Sequence, residues 1–158
     1  MNKAVLGLGS NLGNRKDNIT GAVDAIGRLP GTTVIASSSL YETKPVEVPN
    51  EQNDYLNECV VVMTELSPRA LLGACLGIEA AMGRERRIRH DSRTIDIDLL
   101  IYEGEVSEDE ELTLPHPQLL KRAFVLVPLG EIFAEGTALG AAFGPQLGKL
   151  DTTGIRLY

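Results

Sequence analysis

The sequence predicts an α+β fold: a mainly antiparallel sheet of ferredoxin-like β-α-β-β-α-β order, with packed helices and a C-terminal extension. Three observations carry this. Apolar runs of strand length open the chain and recur at 33–42, 55–66 and 94–102. Only two long early stretches show helical spacing, 15–29 and 68–82, and each lies between two strands. No internal repeat and no long linker divides the 158 residues, of which 43% are hydrophobic. Residues 1–158 are therefore expected to form one domain with a real core.

Each element has a local reason. Lys3 to Leu8 is a short apolar run and reads as a buried first strand. The glycine-rich stretch from Gly9 to Asn14 reads as a strand-to-helix turn near a site, because it fits neither GxGxxG nor GxxxxGK[ST]. The first helix places Ile19, Val23 and Ile26 at helical spacing and stops at Pro30-Gly31. Thr33 to Glu42 is a second strand with a polar end, and Thr43 to Asp54 a polar loop of functional length. Tyr55 to Leu66, rich in β-branched residues, is a central strand.

Ser67-Pro68 then starts a helix, with a cap followed by proline at the first position. Leu71, Leu72, Cys75, Leu76, Ile78 and Met82 are expected to face inward, and Gly83 to end it. Glu79 borders that stripe, where a glutamate ordinarily reaches solvent; one turn before an arginine run, a site role is also open. After the next strand, Glu103 to Glu111 holds six acids in nine residues and reads as a solvated turn. Leu112 to Pro117 is a short extended piece, and Leu119 to Phe133 looks helical with a break or restart at Pro128. Ala134 to Tyr158 is rich in glycine and weakly patterned, with a closing strand at its end.

Composition narrows the function. A net charge of −7 argues against a general nucleic-acid binder. No run approaches the ~18 apolar residues of a membrane span, and the N-terminus lacks a signal-peptide pattern, so a cytoplasmic protein without membrane contact is expected. Cys59 and Cys75 form no CxxC and read as buried free thiols. Two histidines do not make a His-rich zinc site.

The chemistry concentrates between Gly83 and Tyr102. Ile95, Ile97 and Leu99 alternate with Asp96 and Asp98, so the two carboxylates share one strand face. At i and i+2 they stand ~6.5–7 Å apart, a spacing that can grip one divalent cation or two. An isolated DxD is more often a plain polar face, but two uncompensated carboxylates amid so apolar a strand are costly and call for cations. Arg84, Arg86, Arg87, Arg89 and Arg93 supply half of the ten arginines and a net +3 over residues 84–93. Guanidinium forks onto phosphate oxygens, so carboxylates and arginines together suggest a metal–polyphosphate site; a solvated basic loop is the plainer reading. His116, between two prolines, is held in a stiff segment whose direction matters, with Arg122 and Phe124 close behind. Tyr55 and Asn57 share a strand face and either bind a flat heterocycle or cap a core edge.

These motifs resemble the 6-hydroxymethyl-7,8-dihydropterin pyrophosphokinase family. The matching pieces are GLGSNLGNR at 7–15, SSLYETKP at 38–45, YLN at 55–57, IEAAMGRER at 78–86, RTIDIDLLIY at 93–102, LPHP at 114–117 and RAFVLVPLGEI at 122–132. They stand in family order. The resemblance implies transfer of pyrophosphate from ATP to the pterin hydroxymethyl group with release of AMP. It implies that Asp96 and Asp98 bind two Mg²⁺ ions, and that Arg84 and Arg93 contact the triphosphate as catalytic groups. Glu79, Arg86, His116 and Arg122 would complete the ATP site. Thr43, Pro45, Val46, Tyr55, Asn57 and Phe124 would line the pterin pocket, with the ring between Tyr55 and Phe124. Family precedent leans to a monomer. Leu76 stands where the family often has glutamine, and the arginine loop has no tryptophan. Two other classes compete: a metal-dependent phosphohydrolase or nucleotidyltransferase using the same aspartates, and a non-catalytic anion-binding module.

Overall fold

The computed structural model describes residues 1–44, 53–83 and 94–158. Strand β1 (Asn2–Ser10) runs two residues beyond the apolar stretch, so Gly9 and Ser10 belong to the sheet. Helix α1 (Arg15–Gly27) is capped by Asn14, whose side chain accepts from the Asp17 N–H at 3.1 Å. The single strand expected at 33–42 is two, β2 (Thr32–Ser37) and β3 (Tyr41–Thr43). Ser38 causes the break. Its N–H donates to the Cys59 carbonyl at 2.9 Å while its Oγ accepts from the Cys59 N–H at 3.0 Å. A side chain thus replaces one rung of the ladder, and the strand bends there.

Both pieces pair with one edge of the ten-residue strand β4 (Tyr55–Thr64). Helix α2 (Pro68–Ala81) follows, with the Ser67 side chain accepting from the Ala70 N–H. Its stripe is Leu71, Cys75 and Ile78; Leu76 is 52% exposed rather than inward, because it lies a full ~100° around the helix from Cys75. Strand β5 (Asp96–Tyr102) then pairs with the free edge of β1. All these pairings are antiparallel, and the spatial order β2/β3–β4–β1–β5 is the expected ferredoxin-like one.

The acidic stretch is more than a turn. It contains β6 (Ser107–Asp109), which pairs with β7 (Leu112–Leu114), and Asp109 bonds Arg69 of α2. After a 3₁₀ turn at Leu119–Lys121, helix α3 (Ala123–Ile132) begins at Arg122, whose extended backbone makes the break that proline was expected to make. Pro128 sits inside α3 without ending it. The helix forgoes one N–H bond and keeps Val125, Leu126 and Leu129 buried, so packing outweighs the lost bond. The tail forms β8 (Thr137–Ala138), β9 (Ala141–Ala142), α4 (Gly144–Lys149) and β10 (Arg156–Leu157). The closing strand is where expected, and it pairs with β3.

Two cores result. One face of the sheet packs Leu6, Leu8, Leu56, Val60, Ile97 and Leu99 against α1 and α2. The other packs Val5, Cys59, Val61 and Ile101 against α3 and the tail. Cys59 and Cys75 are buried free thiols, both pushed up to about 12, chiefly by burial.

Candidate active site

Among the described residues, α3 and the tail pack on the second face at one end of the sheet. Toward the other end, cross-strand register sets Asp98 beside Gly7 and Cys59, and Asp96 beside Gly9 and Asn57. Residues paired across an antiparallel ladder share a face. Asp96 and Asp98 on β5 and Tyr55 and Asn57 on β4 therefore look the same way, with two glycines of β1 between them. Thr43 on β3 joins this face opposite Tyr55. Neighbouring strands lie ~4.8 Å apart, so bare backbone separates the carboxylate strand from the aromatic strand by ~10 Å. A Cβ on Gly9 would stand 3.2 Å from Asn57 Oδ1 and 3.5 Å from the Tyr55 ring; one on Gly7 would stand 3.1 Å from Leu100 Cδ1. The floor is built from glycine because side chains there would meet the groups on either side.

The carboxylate side is held from below. Glu79 is only 3% exposed, and its Oε2 accepts the Ile97 N–H at 2.8 Å. It is a buried anchor, not a border residue reaching solvent. Ile97 is the residue between the two aspartates, so this bond fixes the backbone unit that sets both carboxylates. On the same outer edge of β5, the His116 N–H donates to the Leu100 carbonyl at 2.8 Å. His116 Nδ1 accepts from the Gln118 N–H at 3.1 Å, which leaves the proton of the neutral ring on Nε2. Burial holds the imidazole below its ordinary range, Arg122 adds to this, and Asp96 opposes it. At neutral pH His116 is thus a neutral Nε2–H donor.

Arg122 stands at the start of α3 with Nη1 3.7 Å from Asp98 Oδ2 and its guanidinium 5.6 Å from the centre of the Phe124 ring. On the far side, Asn57 Nδ2 donates to Thr43 Oγ1 at 2.9 Å; both residues are buried. The structure brings together Thr43, Tyr55, Asn57, Asp96 and Asp98 on one sheet face, with Glu79, His116, Arg122 and Phe124 on the elements around it. Pro45, Val46, Arg84, Arg86 and Arg93 lie outside the described residues.

Reading motifs alone missed the part played by the segment after β1. Ser10 Oγ donates to the Thr94 carbonyl at 2.6 Å and accepts from Asn18 Nδ2 at 3.2 Å. Arg15 Nη1 donates to the Asp54 carbonyl at 2.8 Å. This turn therefore ties the chain just before β5 to the chain just before β4. A small hydroxyl residue at a strand end was the available signal.

The carboxylates suit a hard cation. Two oxygen-donor side chains on one strand, half-buried and beside the glycines of β1, match Mg²⁺, which takes one or two carboxylates and fills its other positions with phosphate oxygens and water. Among the described residues no cluster of three or more His, Cys, Asp or Glu forms an all-protein cage. No helix among them is long and apolar enough to cross a membrane.

Comparison with known proteins places the chain in a family. The family model described as 7,8-dihydro-6-hydroxymethylpterin-pyrophosphokinase matches residues 5–134. A 2-amino-4-hydroxy-6-hydroxymethyldihydropteridine pyrophosphokinase of Methylorubrum extorquens is 46% identical over 155 residues, 98% of each chain. Those of Haemophilus influenzae and Bacillus subtilis are each 41% identical, covering 84% and 83% of this chain and 82% and 78% of their own. The crystal structure of wild-type Plasmodium falciparum HPPK-DHPS superposes with a TM-score of 0.69 at 17% identity. That match covers 94% of this chain and 41% of the longer one, and it supports the fold alone. The protein is thus an enzyme of the diphosphotransferase class. More narrowly, the chain belongs to the 7,8-dihydro-6-hydroxymethylpterin-pyrophosphokinase family.

Proposed function

We propose that this chain, as one domain and a monomer, transfers pyrophosphate from ATP to the hydroxymethyl group of 6-hydroxymethyl-7,8-dihydropterin in a Mg²⁺-dependent reaction that releases AMP. The observation that carries the reading is the shared face on which Asp96 and Asp98 look across the Gly7–Gly9 floor toward Tyr55 and Asn57. One side has the donors for a metal-bound polyphosphate, the other has the aromatic and amide groups for a flat heterocycle. The hydroxymethyl oxygen would attack the β-phosphorus, the bond from that phosphorus to the AMP oxygen would break with its electron pair going to AMP, and the hydroxyl proton would pass to water.

Asp96 and Asp98 would hold Mg²⁺, two ions by family precedent. Bound there, the metal would neutralise charge on the phosphate oxygens. Arg84 and Arg93 are proposed to neutralise the charge that moves to the leaving AMP, with Glu79, Arg86, His116 and Arg122 on the ATP side. Arg122, beside Asp98, and the neutral Nε2–H of His116 supply donors that need no proton transfer to act. Thr43, Pro45, Val46, Tyr55, Asn57 and Phe124 are proposed to hold the pterin. Such transfer depends mostly on positioning and charge stabilisation, which these groups can provide without a dedicated base. The cytoplasm, where ATP is held, is the proposed setting.

AMP release is the direct test, measured with ATP and Mg²⁺ in the presence and absence of the pterin. AMP formed only with both pterin and Mg²⁺ is the expected result. Phosphate or pyrophosphate released without pterin would point to a hydrolase instead. Asp98→Asn is expected to lower kcat by at least about 10²-fold. A modest loss with Mg²⁺ dependence unchanged would overturn the metal assignment.

A further inference from the structure

The family match ends at residue 134, yet the last strand of the chain reaches back to the site. β10 pairs with β3, placing Arg156 opposite Glu42 and Leu157 opposite Tyr41. The Tyr158 N–H donates to the Leu40 carbonyl at 3.0 Å. Arg156 Nη2 lies 2.6 Å from Glu42 Oε1 and 2.9 Å from Asp54 Oδ2. Arg15 meets the same two residues, with Nη1 2.7 Å from Glu42 Oε2 and 2.8 Å from the Asp54 carbonyl. The Tyr158 ring lies 5.7 Å from the Arg15 guanidinium carbon. Three ion pairs and one bond from Arg15 to the Asp54 backbone carbonyl thus close a ring that joins β3, the residue before β4, the start of α1 and β10.

We propose that β10, through Arg156, is a positioning element for the pterin side of the site: it holds β3 and the start of β4 at the separation that Thr43, Tyr55 and Asn57 require. Glu42 immediately precedes Thr43, and Asp54 immediately precedes Tyr55. β3 is only three residues long, and strands that short open locally at little cost unless both edges are paired. A single exposed ion pair stabilises little, but a network shares the ordering cost among its members. Glu42 is the centre of this one; the bond from Arg15, then that from Arg156, holds its carboxyl below the ordinary range against the opposing effect of burial. No comparable tie reaches β5 from the tail among the described residues, so the effect belongs to the pterin side. The proposal rests on the assignment of Thr43, Tyr55 and Asn57 to the pterin.

The test is steady-state kinetics on the full chain carrying Arg156→Ala, with Arg156→Lys as the conservative variant. Arg156→Ala is expected to raise KM for the pterin about threefold, leaving KM for ATP and kcat within about 1.5-fold. Arg156→Lys should recover part of the loss. Val34→Ala, on β2 and away from the network, serves as a control for a general loss of stability and should leave pterin KM unchanged. An unchanged pterin KM in Arg156→Ala overturns the proposal, as does an equal rise in both KM values or an equal effect of Val34→Ala. Hydrogen exchange at the β3 amides reads the tail's role independently: faster exchange in Arg156→Ala supports it, unchanged exchange overturns it. If Tyr55→Ala leaves pterin binding intact while β3 exchange still responds to Arg156→Ala, the pterin assignment is what fails.

Discussion

Glu79 shows how one buried side chain can govern two half-buried ones. Its carboxylate accepts the Ile97 N–H, and Ile97 separates Asp96 from Asp98. Removing the acceptor leaves a buried donor unpaired, at a cost of about 1–3 kcal/mol. Glu79→Ala is therefore expected to lower the urea unfolding free energy by about that amount and to speed exchange of the Ile97 amide. Glu79→Gln keeps an acceptor oxygen and should restore most of both. Unchanged Ile97 exchange in the alanine variant would show that β5 does not depend on this bond. The residue also marks a limit of pattern reading. Its position on the helix stripe was plain from spacing, whereas its partner lies 18 residues away and is a backbone N–H that no spacing identifies.

At the scale of elements, β1 does the most with the least. Its alternate residues Ala4, Leu6 and Leu8 join the core under the helices, while Gly7 and Gly9 leave the opposite face bare. Gly9→Ala would push a methyl to within 3.2 Å of the Asn57 amide oxygen, and that amide already bonds Thr43. Relieving the contact means turning Asn57, so pterin KM is expected to rise about tenfold, the ~1.4 kcal/mol typical of overpacking. Gly7→Ala meets the flexible end of Leu100 instead, and its effect should fall on thermal stability more than on pterin KM. Titrating both variants with the pterin distinguishes these outcomes; equal KM shifts would contradict the floor's division of labour. Gly7 was legible as part of the first strand, whereas Gly9 read as the start of a turn. Its place inside the paired strand was not legible, because glycine's local preference favours turns, and here pairing on both edges of β1 outweighs it.

For the whole molecule, pH is a lever on stability through Glu58. Its carboxyl is pushed up to about 7, first by burial and then by the charge of Glu131. A carboxyl raised in the folded state keeps its proton longer there than in the unfolded chain. Stability is therefore full below the ordinary carboxyl range near 4.5, falls as pH rises toward 7, and stays reduced above it. The half-buried position reduces the penalty to about 2 kcal/mol. Glu58→Gln should raise the urea midpoint at pH 8 and leave it nearly unchanged at pH 4.5. Parallel midpoints for both proteins across that range would refute the assignment.

Much of this protein was determined locally, and local patterns could be read without coordinates. The alternation of Ile95, Ile97 and Leu99 around two aspartates set the carboxylates on one face, since side chains on a strand point to opposite sides in turn. Ser67-Pro68 set the start of α2, because cap and proline act within one turn. The order of strands and helices then left few antiparallel arrangements to choose from. Tertiary structure decided what depends on distant partners. Ser38 split one expected strand by bonding Cys59, and Pro128 stayed within α3 because the helix packs on the sheet. Arg156 found Glu42 across 114 residues, and Asp96 came to lie in line with Asn57 across Gly9. Such contacts follow from chain closure and register, which no short window of sequence contains.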